Sequence, residues 1–512
     1  MKTMVLKEQR PDLMKGVPRG LKDKFLKDQK APMSAWQTTD AILNHKPFDY
    51  DPKQPNGALV MGAIGEKLIG IKDERHIVTC AQNRSGKSVT VINNLFFYDG
   101  SVIAFDSKGE LSELTAAARA KLGQTIMVLD PYGIARGEAR KYRARYNPIR
   151  TLDINADSVI EDVLLIVESI VVASGAEKDP HWNESASNFL LGLILFVAFA
   201  SNIEDEDRNL ITVRKLIKMA KQTVRLDEKT VVFKLTMLAD EGIAHLRGTE
   251  HDDIAETIEG CIRDFYDKSH EELAGVLSTC RRHSAMFDWR SMRKSLSGHD
   301  FDLRDLKRKN MTIYLVLPST KMHACKRWLR MFVNQLIAAM EQEQTVPEQP
   351  VLAVLDEFPV MGHLPALENA VGQVASFHLR FWFIFQDIGQ LESIFKNRWQ
   401  SFLANAGIFQ YFANMDLKTT EYISKILGKT PVFGLRQNDV STKQTDSGVG
   451  GQSSSKELHP LMAPDEISRV FSRADALKRQ IVQWAGFAPM IIQRVEWWNK
   501  DAPYTKEFNG VR

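Results

Sequence analysis

A Gly-Lys-Ser triplet separates a strand-like segment from a helix-like segment near residue 80. Residues 76–80 (HIVTC) have the β-branched content of a buried strand, and apolar residues recur at helical spacing over 89–96. The intervening CAQNRSGKSVTV therefore predicts a strand, a tight loop and a helix. In this arrangement, loop N–H groups and the positive end of the helix dipole bind phosphate oxygens.

The triplet alone is weak, because it arises by chance in roughly one chain in four of this length. Ala81 also replaces the first glycine of the full phosphate-loop pattern. If the strand and helix around the triplet mark a phosphate-binding loop, Lys87 reaches the terminal phosphates and Ser88 holds Mg²⁺. The alternative is a chance triplet on the surface. The residues expected to contact the nucleotide are Asn83, Arg84, Ser85, Gly86, Lys87, Ser88 and Val89.

Strand-like and helix-like segments alternate outside a long helical block, which predicts an α/β fold with a parallel-rich sheet. A polar stretch rich in Gly, Ser and Thr is expected to be a mobile loop. The expected divisions are an irregular N-terminal arm (1–58) with a short helix near 34–45, the first part of a nucleotide-binding domain (59–152), an inserted all-helical domain (153–300), and the second part of the nucleotide-binding domain (301–512) with its loop at 436–457.

Composition favours a soluble cytoplasmic protein. The chain has 512 residues, a formal net charge of +3 and four cysteines without metal-site spacing. The longest apolar run, 189–200, is shorter than the roughly 20 residues of a membrane span and has polar flanks, so a buried helix is expected. Any association with the inner membrane would then be peripheral, through partners.

A second motif, VLAVLDEFP, places two carboxylates after an apolar strand. Ligands bind at the carboxyl edge of open α/β sheets, where Asp356 could hold Mg²⁺ and Glu357 could orient and deprotonate the attacking water. Strand alternation would direct these two side chains to opposite faces. The alternative is a solvated pair that caps the strand.

Two further strand ends carry polar residues. Gln386, which ends FWFIFQ, could sense the terminal phosphate or hold the attacking water, or be an ordinary polar strand end. Asp106 and Lys108 in FDSKGEL could lie beside the same site, although a turn containing Gly109 explains them equally well.

In chain order, QNRSGKS, FDSKGEL, RYNPI, LDEFPVMGHLPALENAV, FQDIGQL, ISKILGKTPV, HPLMAPDEISRV and QIVQWAGFAPMII cover about residues 55–495. This order resembles the type IV secretion coupling proteins, conjugative DNA-transfer ATPases related to hexameric DNA pumps. The resemblance implies a RecA-like P-loop NTPase core, interrupted by an all-α domain that faces cargo. It assigns the metal to Asp356 and water activation to Glu357, with Lys87 and Gln386 also in the catalytic site.

The resemblance also implies ATP and Mg²⁺ as cofactors. The implied partners are DNA, single-stranded or bound to a relaxase, or protein effectors, together with membrane components of the secretion system. A homo-oligomer, such as a hexamer, is expected. The remaining alternatives are a nucleotide-gated cargo adaptor that does not translocate and a DNA motor outside secretion.

Three departures from the family pattern bear on these expectations. The usual N-terminal membrane anchor is not found in the sequence, and Ala81 replaces a glycine. Many related motors place an arginine about ten residues before the sensor glutamine, to act on a neighbouring subunit's site. Here only Arg380 is near, so the source of such an arginine stays open.

Basic segments offer a possible nucleic-acid surface. Residues 280–296 carry five Lys or Arg with Phe287 and Trp289 interleaved, a pattern that could contact phosphates and stack on bases. The alternative is a solvated amphipathic helix face. The segment 306–310 (LKRKN) is similar but favours a turn.

Overall fold

The structure is a computed structural model that describes residues 34–172, 181–228, 230–437 and 452–509. The chain divides into two compact units. The first combines Met1–Tyr98 with Trp382–Arg512, and the second is Asp99–Phe381. The expected domain borders near 152 and 300 therefore do not coincide with the borders of these units.

The strands, in chain order, are β1 (Leu59–Ile64), β2 (Lys67–Ile71), β3 (His76–Ala81), β4 (Val102–Asp106), β5 (Thr125–Leu129), β6 (Thr223–Arg225), β7 (Val231–Phe233), β8 (Met311–Val316), β9 (Val351–Leu355), β10 (Leu379–Phe385), β11 (Ala406–Phe412), β12 (Lys429–Gln437), β13 (Gln452–Pro460), β14 (Arg479–Trp484) and β15 (Met490–Gln493).

The α-helices are α1 (Thr39–Asn44), α2 (Lys87–Phe97), α3 (Glu110–Lys121), α4 (Val159–Ile170), α5 (His181–Phe199), α6 (Leu210–Met219), α7 (Lys234–Ile243), α8 (Asp252–Asp267), α9 (His270–His283), α10 (Arg290–Leu296), α11 (Asp305–Arg308), α12 (Ser319–Met322), α13 (Lys326–Gln342), α14 (Pro365–Ala370), α15 (Ile388–Phe395), α16 (Trp399–Ala404), α17 (Leu417–Leu427) and α18 (Pro464–Val470).

The sheet of the first unit has the order β2-β1-β15-β14-β11-β3-β10. Its central strand β3 is buried along its whole length and runs parallel to both β10 and β11, whereas the strands beyond β11 pair antiparallel. Helix α2 is fastened to β1 because the Asn94 side chain bonds both the N–H and the carbonyl of Val60, at 2.7 and 3.0 Å. The loop between β3 and α2 thus has a rigid element on each side.

The second unit contains four parallel strands in the order β9-β4-β8-β5. Helix α3 packs on this sheet, and the Thr115 hydroxyl contacts the Tyr314 hydroxyl at 2.6 Å in the buried layer between them. Parallel strands with helical connections confirm the α/β prediction.

Helices α4–α10 form the predicted helical block inside the second unit. The block also includes the antiparallel pair β6 and β7, which the sequence did not predict. Among the residues that the structure describes, α5 is the one helix with the length and hydropathy of a membrane span, and 67% of its apolar window is buried in the fold. It packs against α4, α8 and α9, as expected for a core helix.

Two local predictions lie near the chain ends. The short helix expected near 34–45 is α1. The prediction of a loop at 436–457 is wrong at both ends of this range, because β12 and β13 pair antiparallel up to Gln437 and Gln452. Residues 438–451 lie outside the described ranges. A polar composition does not prevent this pairing, since the ladder bonds join backbone groups alone.

Candidate nucleotide-binding site

The loop after β3 has the backbone of a tight turn. Arg84 and Gly86 have positive φ angles of 57° and 99°, and α2 begins at Lys87. Ala81 is the last residue of β3. Because this position is extended, it does not require glycine, and the alanine that departs from the common pattern fits without strain.

The Lys87 side chain points back into the loop that precedes this residue. Its side chain is buried and its Nζ donates to the Ala81 carbonyl at 2.9 Å, while the Ser85 hydroxyl donates to the Gln82 carbonyl at 2.5 Å. Ser88 follows in the first turn of α2 and is half-buried. An ammonium group, a serine hydroxyl and a helix N-terminus therefore converge on one loop, a combination suited to phosphate oxygens.

The remaining candidates of the loop differ in exposure. Asn83 and Arg84 are exposed and Val89 is half-buried. Their backbone N–H groups, rather than their side chains, carry the predicted contacts.

Gln386 lies beside this loop in the same unit. In the parallel pair of β3 and β10, Phe385 is opposite Cys80, so Gln386 follows β10 at the level of Ala81. The Cys80 thiol contacts the Gln386 carbonyl at 3.7 Å, and Asp387 caps α15 by accepting from the Gln390 N–H at 2.9 Å. The predicted glutamine and the predicted phosphate loop are thus brought together.

Cys80 itself is an inert part of this strand end. Burial raises the pKa of its thiol well above the ordinary value, and the carboxylates of Asp416 and Asp387 raise it further. Asn414, after β11, donates to the Cys80 carbonyl at 3.2 Å and to its sulfur at 3.4 Å. The thiol therefore stays neutral.

The acidic pair lies in the second unit, at the carboxyl end of β9. Asp356 is buried, and one of its carboxylate oxygens accepts from the Glu357 N–H at 3.2 Å. Glu357 has a left-handed backbone with φ 54° and precedes a 3-10 turn at Phe358–Met361. The strand has already ended at Leu355, so simple strand alternation, which would have sent the two side chains to opposite faces, does not apply.

Asp106 lies at the neighbouring strand end. The register pairs Ala104 with Val354, which places Asp106 at the level of Asp356. The Asp106 carboxylate accepts from both the N–H and the hydroxyl of Ser112, each at 2.8 Å. It is buried, and this burial raises its pKa. Since Asp106 fastens the first turn of α3, the turn explanation fits it, and Lys108 is exposed.

Arg380 does not fit a role at a neighbouring subunit's site. Its side chain has 0% exposure within β10. A guanidinium group without exposed surface cannot extend to another subunit. The expected trans-acting arginine is therefore not found at this position.

The basic segments have largely structural environments. Phe287 has 0% exposure and cannot stack on a base, and Arg293 lies 3.7 Å from the Asp288 carboxylate. In the second segment most residues belong to α11 rather than to a turn, and Lys307 is buried, donating to the Met340 carbonyl at 2.7 Å. These contacts favour a structural explanation over base stacking.

Sequence reasoning missed Arg494, which follows β15 and donates from Nη1 to the Ser85 carbonyl of the phosphate loop. Its guanidinium carbon lies 4.7 Å from the centre of the Phe412 ring. The only sequence signal was a cation directly after a short apolar strand, which matches no phosphate-site pattern.

Residues 25–510 match the protein family described as "Type IV secretory system Conjugative DNA transfer". The chain belongs to this family. It is 25% identical over 412 residues to the conjugal transfer protein TraG of Escherichia coli, covering 77% of this chain and 61% of that protein. It is 24% identical over 443 residues to protein VirD4 of Agrobacterium fabrum, covering 83% and 59%. The chain thus spans about three fifths of the length of the curated relatives it matches.

The fold is similar to that of the bacterial conjugative coupling protein TrwB. One TrwB structure, in complex with sulphate, has a TM-score of 0.61 at 14% identity and covers 93% of this chain and 98% of that one. Another, with the non-hydrolysable ATP analogue ADPNP, has a TM-score of 0.61 at 14% identity over 91% and 96%. This similarity confirms the predicted RecA-like α/β fold. The family match over residues 25–510 confirms the resemblance.

Proposed function

We propose that this chain is the ATP-hydrolysing part of a type IV secretion or conjugation coupling protein, which recruits and drives the transfer of relaxase-bound DNA or protein cargo. The phosphate loop carries this proposal, because a buried lysine, a left-handed glycine and a helix N-terminus meet directly after the central strand β3. The family match supports it. TrwB has been solved with ADPNP and with ADP and Mg²⁺, which supports the same ligands here.

In this proposal each residue of the site has a separate role in binding or hydrolysis. Lys87 and the N–H groups of residues 83–89 bind the phosphates. The Ser88 hydroxyl and the Asp356 carboxylate are hard oxygen donors of the kind that Mg²⁺ prefers. The bound metal would neutralise charge on the phosphates. Glu357 orients the attacking water and accepts its proton, and Gln386 senses the terminal phosphate.

The burial of Arg380 favours one alternative, a nucleotide-gated cargo adaptor. In motors of this kind an arginine from the neighbouring subunit stabilises transition-state charge and can accelerate hydrolysis by about 10³–10⁵-fold. If no other arginine supplies that charge, the protein would bind ATP and cargo with little turnover.

One experiment separates the two proposals. The ATPase rate is measured over a range of protein concentrations, without DNA and with single- or double-stranded DNA, for the parent protein and for Lys87→Ala. DNA-stimulated turnover that rises steeply with concentration supports an oligomeric motor, for which a hexamer is proposed. Tight ATP binding with negligible turnover under every condition supports the adaptor and contradicts the motor.

We propose that the helical block faces the cargo. The proposed partners also include membrane components of a secretion system. The protein is proposed to be cytoplasmic and peripheral to the inner membrane. Carbonate-resistant membrane association of the 512-residue protein in cells without other secretion components would contradict this placement.

A further inference from the structure

Arg494 connects the C-terminal strands of the first unit to the phosphate loop. Its backbone N–H donates to the Lys478 carbonyl at 2.8 Å, and its Nε donates to the same carbonyl at 3.3 Å. Its Nη1 donates to the Ser85 carbonyl, and the guanidinium lies over the Phe412 ring. The residue is only 8% exposed. The side chain is therefore held from two sides and directed at one peptide of the loop.

The bonded carbonyl has a direct geometric consequence. A peptide unit is planar and trans, so its carbonyl and its N–H point in opposite directions. The Ser85 carbonyl shares its plane with the Gly86 N–H, and glycine, here with a left-handed backbone, restricts the orientation of this peptide less than a residue with a side chain would. By holding the carbonyl, Arg494 fixes the direction of an N–H group in the centre of the loop.

The charge of Arg494 adds to this effect. Burial lowers the pKa of Arg494, and this effect is larger than the opposite effect of the Asp475 and Glu496 carboxylates, which raise it. Asp475 is already bonded by Arg479 at 3.0 and 3.1 Å, and Glu496 lies 3.7 Å from Lys478. A buried cation with such partners gains stability from a nearby anion.

We propose that Arg494 is a positioning residue for nucleotide binding, which fixes the Ser85–Gly86 peptide and supplies a second positive charge, besides Lys87, for the nucleotide phosphates. This inference rests on the proposed function, since it requires that the loop binds a nucleotide. The competing explanation is that Arg494 only fastens β15 to the rest of the unit.

The test compares Arg494→Lys and Arg494→Gln with a matched control, Arg479→Lys. Arg479 belongs to the same C-terminal segment and is half-buried, but its guanidinium bonds Asp475 and the Val470 carbonyl instead of the loop. Affinities for ATP and AMP, both with Mg²⁺, are measured for all variants, with Lys87→Ala as reference. Thermal unfolding without nucleotide reports on stability.

Arg494→Gln is expected to weaken ATP binding about tenfold or more, because a charge-assisted bond and a charge are lost, and to weaken AMP binding less. Arg494→Lys keeps the charge but not the fork geometry, so an intermediate loss is expected. Arg479→Lys should bind ATP like the parent. Millimolar guanidinium should partly restore ATP affinity to Arg494→Ala and not to Arg479→Ala.

Parent-like ATP affinity in Arg494→Gln would overturn the inference while leaving the proposed function intact, provided that Lys87→Ala has lost binding. Equal losses of ATP affinity in the Arg494 and Arg479 variants, in step with their thermal stability, would also overturn it in favour of a purely structural role. A parent protein that binds no ATP would overturn both proposals.

Discussion

Left-handed non-glycine residues follow three strands that end near the proposed sites: Arg84 after β3, Glu357 after β9 and Ala413 after β11. Such conformations are uncommon outside glycine and cost about 1 kcal/mol or more each. They persist where the surrounding structure holds them, which is frequent at functional sites. Two of these residues belong to motifs that the sequence had already indicated.

Lys87→Ala is the most direct test of the phosphate loop. The variant loses the ammonium group proposed to bind the terminal phosphates but keeps the helix, since alanine is the best helix former. We expect ATP affinity or hydrolysis to fall below detection while the far-UV circular dichroism stays unchanged. Lys121→Ala, an exposed lysine at the end of α3, is the control and should behave like the parent. Normal turnover in Lys87→Ala would show that the loop is not the site.

Two isosteric substitutions distinguish the proposed roles of Asp356 and Glu357. Glu357→Gln removes the proposed base, so ATP should bind normally but single-turnover hydrolysis should slow by about 10²–10⁴-fold. Asp356→Asn should instead weaken the Mg²⁺-dependent part of binding. Glu341→Gln, at an exposed position of α13, serves as the control. Hydrolysis at the parent rate in Glu357→Gln would exclude Glu357 as the base.

His283 predicts a pH dependence of stability. Its Nδ1 accepts from Arg327 at 2.9 Å, and its Nε2 lies 3.3 Å from the Asn183 side-chain oxygen. Burial, together with the charges of Arg327 and Arg282, lowers the pKa of His283 from 6.5 to about 4. The unfolded chain therefore binds more protons between these values, so the free energy of unfolding falls as pH decreases from about 6.5 to 4.

His283→Gln should remove about 2 kcal/mol of that acid-dependent loss. The measurement is chemical denaturation at several pH values between 7 and 4. His270→Gln, at the exposed first residue of the same helix, should follow the parent profile. An unchanged pH dependence in His283→Gln would contradict the assignment.

At the scale of elements, the sequence predicted best what is local. The predicted strands at 76–80, in VLAVLDEFP and in FWFIFQ correspond to β3, β9 and β10 within one or two residues. Apolar runs and their flanking glycines and prolines determine such segments directly. The parts of β12 and β13 inside the expected loop 436–457 were missed because those residues are polar, and their pairing depends on backbone bonds that leave no hydrophobic pattern.

Helix packing predicts that alanine substitutions at two glycines change the stability of the protein in opposite directions. A Cβ on Gly192 of α5 would lie 2.5 Å from the Cβ of Cys261 on α8, whereas a Cβ on Gly260 of α8 would meet no atom within 4 Å. Gly192→Ala should therefore destabilise the protein by about 1–3 kcal/mol through overpacking. Gly260→Ala should stabilise it by roughly 0.5–1 kcal/mol, because alanine has the higher helix propensity.

Urea denaturation followed by tryptophan fluorescence measures both glycine variants. Equal effects of the same sign would show that α5 and α8 do not pack as closely at Gly192 as the structure describes. This close approach could not be predicted, because a glycine within an apolar run has no signature of the helix that it faces.

At the scale of the whole molecule, the fold class and part of the candidate site could be predicted from local sequence patterns. The residues that join the site through long-range contacts could not. Lys87 begins the helix that follows a buried strand, and Gln386 directly follows another strand, so both can be recognised from local sequence. Arg494 reaches Ser85 across 409 positions of the chain, only because β15 returns antiparallel to β14. The assembly of the first unit from both chain ends is equally non-local. Long-range pairing of this kind depends on tertiary packing, which no short window of sequence contains.

Nucleotide binding should be visible in the thermal stability of the whole chain. A ligand that binds only the folded state stabilises it by RT ln(1 + [L]/Kd), about 2.7 kcal/mol at 100 times the Kd. For a unit of this size that corresponds to a rise of roughly 5–10 °C in unfolding midpoint. We expect the rise with ATP and Mg²⁺ in the parent protein, in Glu357→Gln and in the control Lys121→Ala, but not in Lys87→Ala. Calorimetry with and without nucleotide measures it, and the transition that moves should be that of the first unit, which contains the phosphate loop. An equal rise in Lys87→Ala would place the nucleotide elsewhere and contradict the proposed site.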